Sequence, residues 1–327
     1  MKAKITVVIP AYNMAPWIED TLRSVMKQTF VNFVCLVIDD GSNDNTHRVF
    51  TSTVNGDPRF KIYRQENAGV CVARNVGISL TQTPLISFLD ADDLWHETFL
   101  EKMVHALTQS DIRLACCQPA MFYDGTCLRK PIVWKNYRKT GNLWWDMLSD
   151  CEFFMSGWAA YTCDVKKIDP FKRNVTVAED REFLLRLLAY IYDEQKGKAI
   201  KFSEELLFYR VRQASAVRDA TSALTYEWDM MQAKINQPGI SKIVQRQALS
   251  FLALKMAVIA LFGARQYIVA IKKYWQAFVI CPWNINLLLL PIRKIILMLL
   301  PKREIPWLKH FFQSTTKVAD HEGCATS

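Results

Sequence analysis

The sequence predicts an α/β fold: a mostly parallel central sheet with helices on both faces. Two observations predict it. Apolar, β-branched runs alternate with runs of helical periodicity from residue 4 to residue 95, and that alternation builds parallel sheets covered on both sides. Three polar turns, at residues 10–13, 39–42 and 90–93, each follow directly on an apolar run. Right-handed crossovers align such strand ends along one edge, where open α/β sheets take their ligands.

The elements follow in order. Residues 4–9 form a short β-branched run ended by Pro10; Pro16 then stands where a helix begins, and Ile18, Leu22, Val25 and Met26 follow at helical spacing. Residues 33–38 are a second strand, stopped by Asp39-Asp40-Gly41-Ser42, with a helix from Asn43 and a third strand at 60–63. Residues 69–80 read as a helix carrying Val72, Val76 and Leu80 on one face. A fourth strand at 85–89 runs into Asp90-Ala91-Asp92-Asp93, and helical periodicity resumes after Trp95. Residues 111–175 are less regular and rich in aromatics, among them Trp134, Trp144, Trp145 and Trp158. A helix over 179–190 with Phe183, Leu184, Leu187 and Leu188 inward, then strands at 200–202 and 206–211, close the domain. The pattern beyond residue 219 is helical. We therefore expect an α/β domain over 1–218 and a helical region over 219–327, with no internal repeat.

Half of the 327 residues are hydrophobic, which excludes a disordered chain. The formal charge is +9, which suits an anionic ligand or surface without choosing between them. The nine cysteines are scattered, with no Cys-x-x-Cys and no zinc-like Cys/His spacing, and read as small core residues of a reducing compartment. No charged-then-apolar leader precedes the first strand, so no secretory signal is expected.

The chemistry concentrates at the strand ends. Phe88-Leu89-Asp90-Ala91-Asp92-Asp93 puts three carboxylates within four residues. They repel one another unless a cation binds, and a hard divalent metal would use one or two of them and take a diphosphate for its other positions. Alone, the same turn equally caps the helix behind it. Ile38-Asp39-Asp40-Gly41-Ser42 places a carboxylate where a base N–H or a ribose hydroxyl can be accepted, with Gly41 allowing a tight turn. Ala178-Glu179-Asp180-Arg181-Glu182 opens a helix with acidic residues that favour its N-terminus.

Val8-Ile9-Pro10-Ala11-Tyr12-Asn13, Ile38-Asp39-Asp40-Gly41-Ser42, Asn67-Ala68-Gly69 with Ala73-Arg74-Asn75-Val76-Gly77, and Leu89-Asp90-Ala91-Asp92-Asp93 together resemble the family 2 glycosyltransferases, over roughly residues 4–215. The resemblance implies the GT-A fold of nucleotide-diphospho-sugar transferases and an inverting, metal-dependent transfer. It implies that Pro10, Ala11, Tyr12 and Asn13 line the nucleotide base, that Asp39 contacts the base, and that Arg74 lies near the donor, where a guanidinium suits a diphosphate. It assigns Asp90, with Ala91 and Asp93 beside it, to ribose or sugar, and Asp92 to Mn2+ or Mg2+, with Asp93 the alternative metal ligand. Asp180 becomes the catalytic base that takes the acceptor hydroxyl's proton. The donor implied is a nucleotide sugar, a UDP-sugar first, and the acceptor a glycan or lipid-linked hydroxyl, as in bacterial surface polysaccharide assembly. Trp144, Trp145 and Trp158 are candidates for stacking on acceptor sugars, against a plain core role. Arg212, past the last strand, is a weaker candidate for the diphosphate.

Between residues 270 and 311 stand Lys272, Lys273, Arg293, Lys294, Lys302, Arg303 and Lys309 against Glu304 alone, in a strongly apolar context. Residues 274–292 carry no charge, but Pro282, Asn284, Asn286 and Pro291 interrupt them. We expect this segment to lie on an anionic membrane surface rather than to span it, placing the protein peripherally on the cytosolic face of the inner membrane. Packing onto the catalytic domain or a second subunit is the competing reading. Nucleic acid is not expected as a partner, because the basic residues sit in an apolar tail. Two rivals stand against transfer. A nucleotidyltransferase would show a Gly-rich phosphate loop near the N-terminus, which is absent. A non-catalytic nucleotide-sugar-binding or membrane-associated scaffold would not need Asp92 and Asp180.

Overall fold

The computed structural model describes residues 3–123, 129–131, 154–173, 179–211, 250, 253 and 267–280. Strand β1 (Ile5–Ala11), helix α1 (Ile18–Met26), β2 (Phe33–Asp39), α2 (Thr46–Val54), β3 (Phe60–Arg64), α3 (Val70–Leu80) and β4 (Leu85–Phe88) alternate as expected. β1 pairs in parallel with β2, from Ile5 opposite Phe33 to Ala11 opposite Asp39, and with β4, from Ile5 opposite Leu85 to Val8 opposite Phe88. β3 extends the parallel set beyond β2. Every residue of β1 is buried, as a strand covered on both faces requires. Its alternate residues enter different cores. Val8 packs with Leu36, Ile38, Phe88 and helix α3, whereas Val7 and Ile9 pack with Cys35, Val37 and helix α1.

Gly77 sets how closely α3 approaches the sheet. A Cβ built there would lie 2.2 Å from Val8 Cγ1, so the helix rides on β1 with no room for a side chain. Four of the five described cysteines, Cys35, Cys71, Cys116 and Cys117, are buried in these cores, and burial pushes the Cys117 thiol up to about 12.

The second half departs from the sequence pattern in three places. Helix α4 (Phe99–Leu107) leads into β6 (Ile112–Tyr123), a twelve-residue strand where no regular element was expected. Small residues and Pro119 obscure its periodicity, and its register against β9 shifts around Gln118. The two strands expected near 200 and 206 are one strand, β9 (Lys198–Val211); this irregular pairing carries it through the polar Ser203-Glu204-Glu205 stretch. Leu94 and Trp95 form a short strand, β5, antiparallel to β9.

β7 (Arg129–Pro131) pairs with β6, and β8 (Trp158–Tyr161) lies antiparallel between β4 and β6. The sheet order is β3-β2-β1-β4-β8-β6-β9-β5. Helix α5 (Thr162–Lys167) follows β8, and α6 (Glu179–Asp193) buries Phe183, Leu184, Leu187 and Leu188 as anticipated. Trp158 is wholly buried against Phe88, at 5.3 Å between ring centroids, so it is a core residue and not an acceptor platform. Trp134, Trp144, Trp145, Arg212 and the boundary at 218/219 lie outside the described residues. Helix α7 (Tyr267–Ile280) packs Ala277 into the same core as α3 and α6. Among the described residues no helix is long and apolar enough to cross a membrane.

Gly77→Ala should destabilise the chain by about 1–3 kcal/mol, as overpacking of a close helix–strand contact does. Urea unfolding followed by circular dichroism checks this; an unchanged midpoint would show that Val8 yields freely.

Candidate functional site

The parallel register brings the three polar turns to one edge. Asp40 N–H donates to the Ala11 carbonyl at 2.8 Å and Leu89 N–H donates to the Val8 carbonyl at 3.0 Å, so the chain leaves β1, β2 and β4 side by side. Asn13, with φ of 54°, bridges the first two turns. Its N–H donates to Ser42 Oγ at 3.0 Å and its Oδ1 accepts from Asn43 N–H at 2.9 Å. Tyr12, beside it, is 44% exposed.

The adjacent carboxylates Asp39 and Asp40 do different work. Asp40 is fully engaged: Oδ1 accepts from Gln65 Nε2 at 2.7 Å and Ala68 N–H at 2.9 Å, and Oδ2 accepts from Gly69 N–H at 2.8 Å. It pins the loop that opens α3. Gly41 lies under that loop with φ of 77°, and a Cβ there would fall 2.8 Å from the Asn67 nitrogen. Asp39 is wholly buried; Oδ1 accepts from Ser42 N–H at 2.9 Å, but Oδ2 has no hydrogen-bond partner. Arg64 Nε stands 3.9 Å from that oxygen, close enough for charge and too far for a bond. A buried carboxylate oxygen left this way is an acceptor awaiting a donor.

The acidic turn after β4 divides similarly. Asp93 is buried, and both its oxygens are taken: Oδ2 accepts from Ser156 Oγ at 2.6 Å and Oδ1 from Arg210 N–H at 3.0 Å. Burial, with Asp90 and Asp92 beside it, pushes its carboxyl well above the usual range. Asp93, expected beside the donor or as the alternative metal ligand, is a bracket between the turn, the 3₁₀ turn at Met155–Gly157, and β9. Ser156 also accepts from Asp90 N–H at 3.0 Å, and its carbonyl accepts from Trp95 Nε1 at 2.6 Å. Arg210 donates from Nε to the Asp92 carbonyl at 2.7 Å and pairs through Nη2 with Asp20 at 3.0 Å. Thr21 Oγ1 lies 3.0 Å from the Ala91 carbonyl and 2.9 Å from that of Asp93, fixing the turn to α1. Ser156 and Arg210 were missed as site-shaping residues. Ser156 stands in no recognisable pattern, and Arg210 was passed over for its neighbour Arg212.

Arg74 joins this turn to the helix that opens at Glu179. Its Nη2 pairs with Asp90 Oδ1 at 2.9 Å and its Nη1 with Glu179 Oε1 at 2.9 Å, while its side chain is only 4% exposed. Burial opposes its charge, but Asp90, Glu179 and Asp180 more than offset that and hold the guanidinium firmly protonated. Arg74, expected near the donor, is paired with two carboxylates. Its ring-side neighbour is Phe171, 5.5 Å away, which stacks on Phe183 at 3.8 Å. Asn75 holds Phe171 from both sides of its backbone, donating to its carbonyl and accepting from its N–H at 2.9 Å each.

Asp180 follows in the first turn of α6, accepting from Arg181 N–H at 2.7 Å. Burial and the charge of Glu179 outweigh the attraction of Arg74 and push its carboxyl up to about 6. Such a group is ionised at neutral pH yet basic enough to take a proton. Asp90, with one oxygen on Arg74, and Asp92, half-buried, remain as carboxylates at the crevice. Among the described residues no three His, Cys, Asp or Glu converge on a cation site of their own. An oxygen-seeking cation on Asp92 would therefore complete its shell with phosphate oxygens of a ligand, a usual arrangement for Mg2+.

Residues 6–163, which include β2 to β4, all of β1 but Ile5, and the acidic turn, match the family model described as Glycosyl transferase family 2. WfgD of Escherichia coli, a UDP-Glc:alpha-D-GlcNAc-diphosphoundecaprenol beta-1,3-glucosyltransferase, is 26% identical over 72% of this chain and 87% of its own length. The uncharacterized glycosyltransferase RC0461 of Rickettsia conorii is 41% identical over 98 residues, and GlyG of Streptococcus pneumoniae is 31% identical over 112. These stretches span only 16% and 37% of the two proteins. In structure, residues 1–349 of Staphylococcus aureus TarS with UDP-GlcNAc superpose with a TM-score of 0.63 at 17% identity, over 87% of this chain and 83% of that one. The Pyrobaculum calidifontis mannosyltransferase PcManGT with GDP-Man and Mn2+ superposes with a TM-score of 0.62 at 16% identity, over 92% of this chain and 81% of that one. The sheet order, the three turns at one edge and the sequence match agree: residues 6–163 form a family 2 glycosyltransferase region, and the chain has the GT-A fold.

Proposed function

We propose that the chain is an inverting, metal-dependent glycosyltransferase that moves a sugar from a nucleotide-diphosphate donor, a UDP-sugar first, to a hydroxyl of a glycan or lipid-linked acceptor in bacterial surface polysaccharide assembly. The observation that carries this reading is the buried Arg74, which ties the Asp90 turn to the start of α6 and so keeps Asp180 beside the carboxylates of the donor edge. The orphaned Oδ2 of Asp39 and the exposed ring of Tyr12 support a base pocket, with the backbone of Pro10, Ala11 and Asn13 as its wall. Asp90 holds ribose or sugar and Asp92 the cation, Mn2+ or Mg2+. Donor and acceptor classes are supported by TarS, seen with UDP-GlcNAc, and by WfgD, named for a diphosphoundecaprenol acceptor.

In the transfer, the acceptor oxygen forms its bond to the anomeric carbon as the bond from that carbon to the diphosphate breaks. Asp180 takes the acceptor proton, and a single displacement inverts the anomeric centre. A divalent cation, when bound, supplies positive charge against the departing diphosphate. Arg74 acts as a positioning residue: it fixes Asp90 and, through Glu179, the helix start that bears Asp180.

Two outcomes are expected. Asp180→Asn should lower kcat by about 10²–10⁴, the range for a lost general base, while donor binding stays intact. Wild-type transfer should fall as pH drops through about 6, because a carboxyl raised to that value is protonated below it; the limb should vanish in the variant. Initial rates across pH check both, and undiminished transfer by Asp180→Asn would sink the base assignment. Calorimetry with UDP-, GDP- and dTDP-sugars, with and without manganese, should show one donor bound more tightly with the metal, and chelation should reverse the gain. Asp92→Ala should lose it; an equal gain in that variant would move the cation elsewhere.

A further inference from the structure

We infer that helix α7 is a docking surface for an anionic lipid bilayer, with the stripe Ile271, Trp275 and Val279 as the inserted face. This deepens the reading of a lipid-linked acceptor and rests on it for its purpose, though not for its physics. The three side chains recur every fourth residue and are 69%, 64% and 64% exposed; that spacing puts them on one face of the helix. The opposite face is docked. Ala277 is buried with Ala253, its carbonyl accepts from Ser250 Oγ at 2.8 Å, and Ile280 packs on the same core. The helix is therefore held against the domain through Ala277 and Ile280, with Ile271, Trp275 and Val279 on the other side.

Charge names the occupant. Lys272, one residue beyond Ile271, is exposed at the edge of the stripe, and no acidic residue lies in the helix. An apolar stripe with tryptophan at its centre and a lysine at its margin suits the headgroup region of an anionic membrane. A second copy is the poorer fit. A two-fold contact along this stripe would bring Lys272 of both copies together, and the three side chains exposed among the described residues fall far short of the roughly 800 Å² per partner of a stable interface.

The test is sedimentation of the full chain with vesicles of phosphatidylcholine, with and without phosphatidylglycerol. Wild type should bind only the anionic vesicles, more weakly as salt rises. Ile271→Ser with Val279→Ser should weaken binding by about tenfold or more, and Lys272→Gln by about fivefold, the loss of one basic contact. Melting curves confirm that the variants fold, and donor binding should match wild type in both. Absence of wild-type binding to anionic vesicles would overturn the proposal, as would equal binding by the Ser variant. So would wild-type self-association that the same variant abolishes, which would assign the face to a second copy. Donor binding separates this from the enzyme reading: vesicle binding without any donor binding would leave the docking surface standing and overturn the transferase.

Discussion

Arg74 is a guanidinium with almost no access to water, held between Asp90 on one side and Glu179 on the other. Burying a charge in this way is tolerable only with partners in place; removing one carboxylate typically costs about 3–5 kcal/mol because the other charge is left stranded. The two acids are 16 and 105 residues away from Arg74 in sequence. One side chain therefore fixes the distance between the acidic turn after β4 and the helix whose first turn carries Asp180. The same low-dielectric surroundings that make the pair strong also raise the Asp180 carboxyl towards neutrality.

Around that clamp, the crevice is made from carboxylates with unequal duties. Asp40 and Asp93 are structural. Each accepts hydrogen bonds through both oxygens from groups far along the chain, and each holds a loop in place. Asp39 and Asp90 retain capacity. Asp39 keeps one oxygen without a hydrogen bond, and Asp90 is partly open to solvent beside its single ion pair. Doublets of aspartate at strand ends thus combine one residue that builds the turn with one that can meet a ligand. The sheet supplies the register that sets them side by side.

Much of this was legible beforehand. The alternation of strands and helices, the placement of three polar turns at one edge, and the inward face of α6 follow from periodicity and from the handedness of crossovers. Strand β6 was not legible, because Pro119, small residues and an irregular register hide its period. The division of labour between Asp92 and Asp93 was not legible either. Adjacent residues in a turn point in different directions, and only the arrival of Ser156 and Arg210 from distant segments commits Asp93 to the interior. Trp158 shows the same limit: an aromatic in an irregular region reads as a sugar platform or a core residue until the strand that carries it is placed.

By itself the sequence determined the fold class and the strand ends at which chemistry would gather, because both depend on local periodicity and on one general chirality. Which carboxylate keeps an oxygen without a hydrogen bond, which braces a loop, and that Arg74 pairs with two acids were decided by the tertiary structure. Those outcomes depend on burial and on partners tens of residues away, and burial is a property of the packed molecule rather than of any residue or its neighbours in the chain.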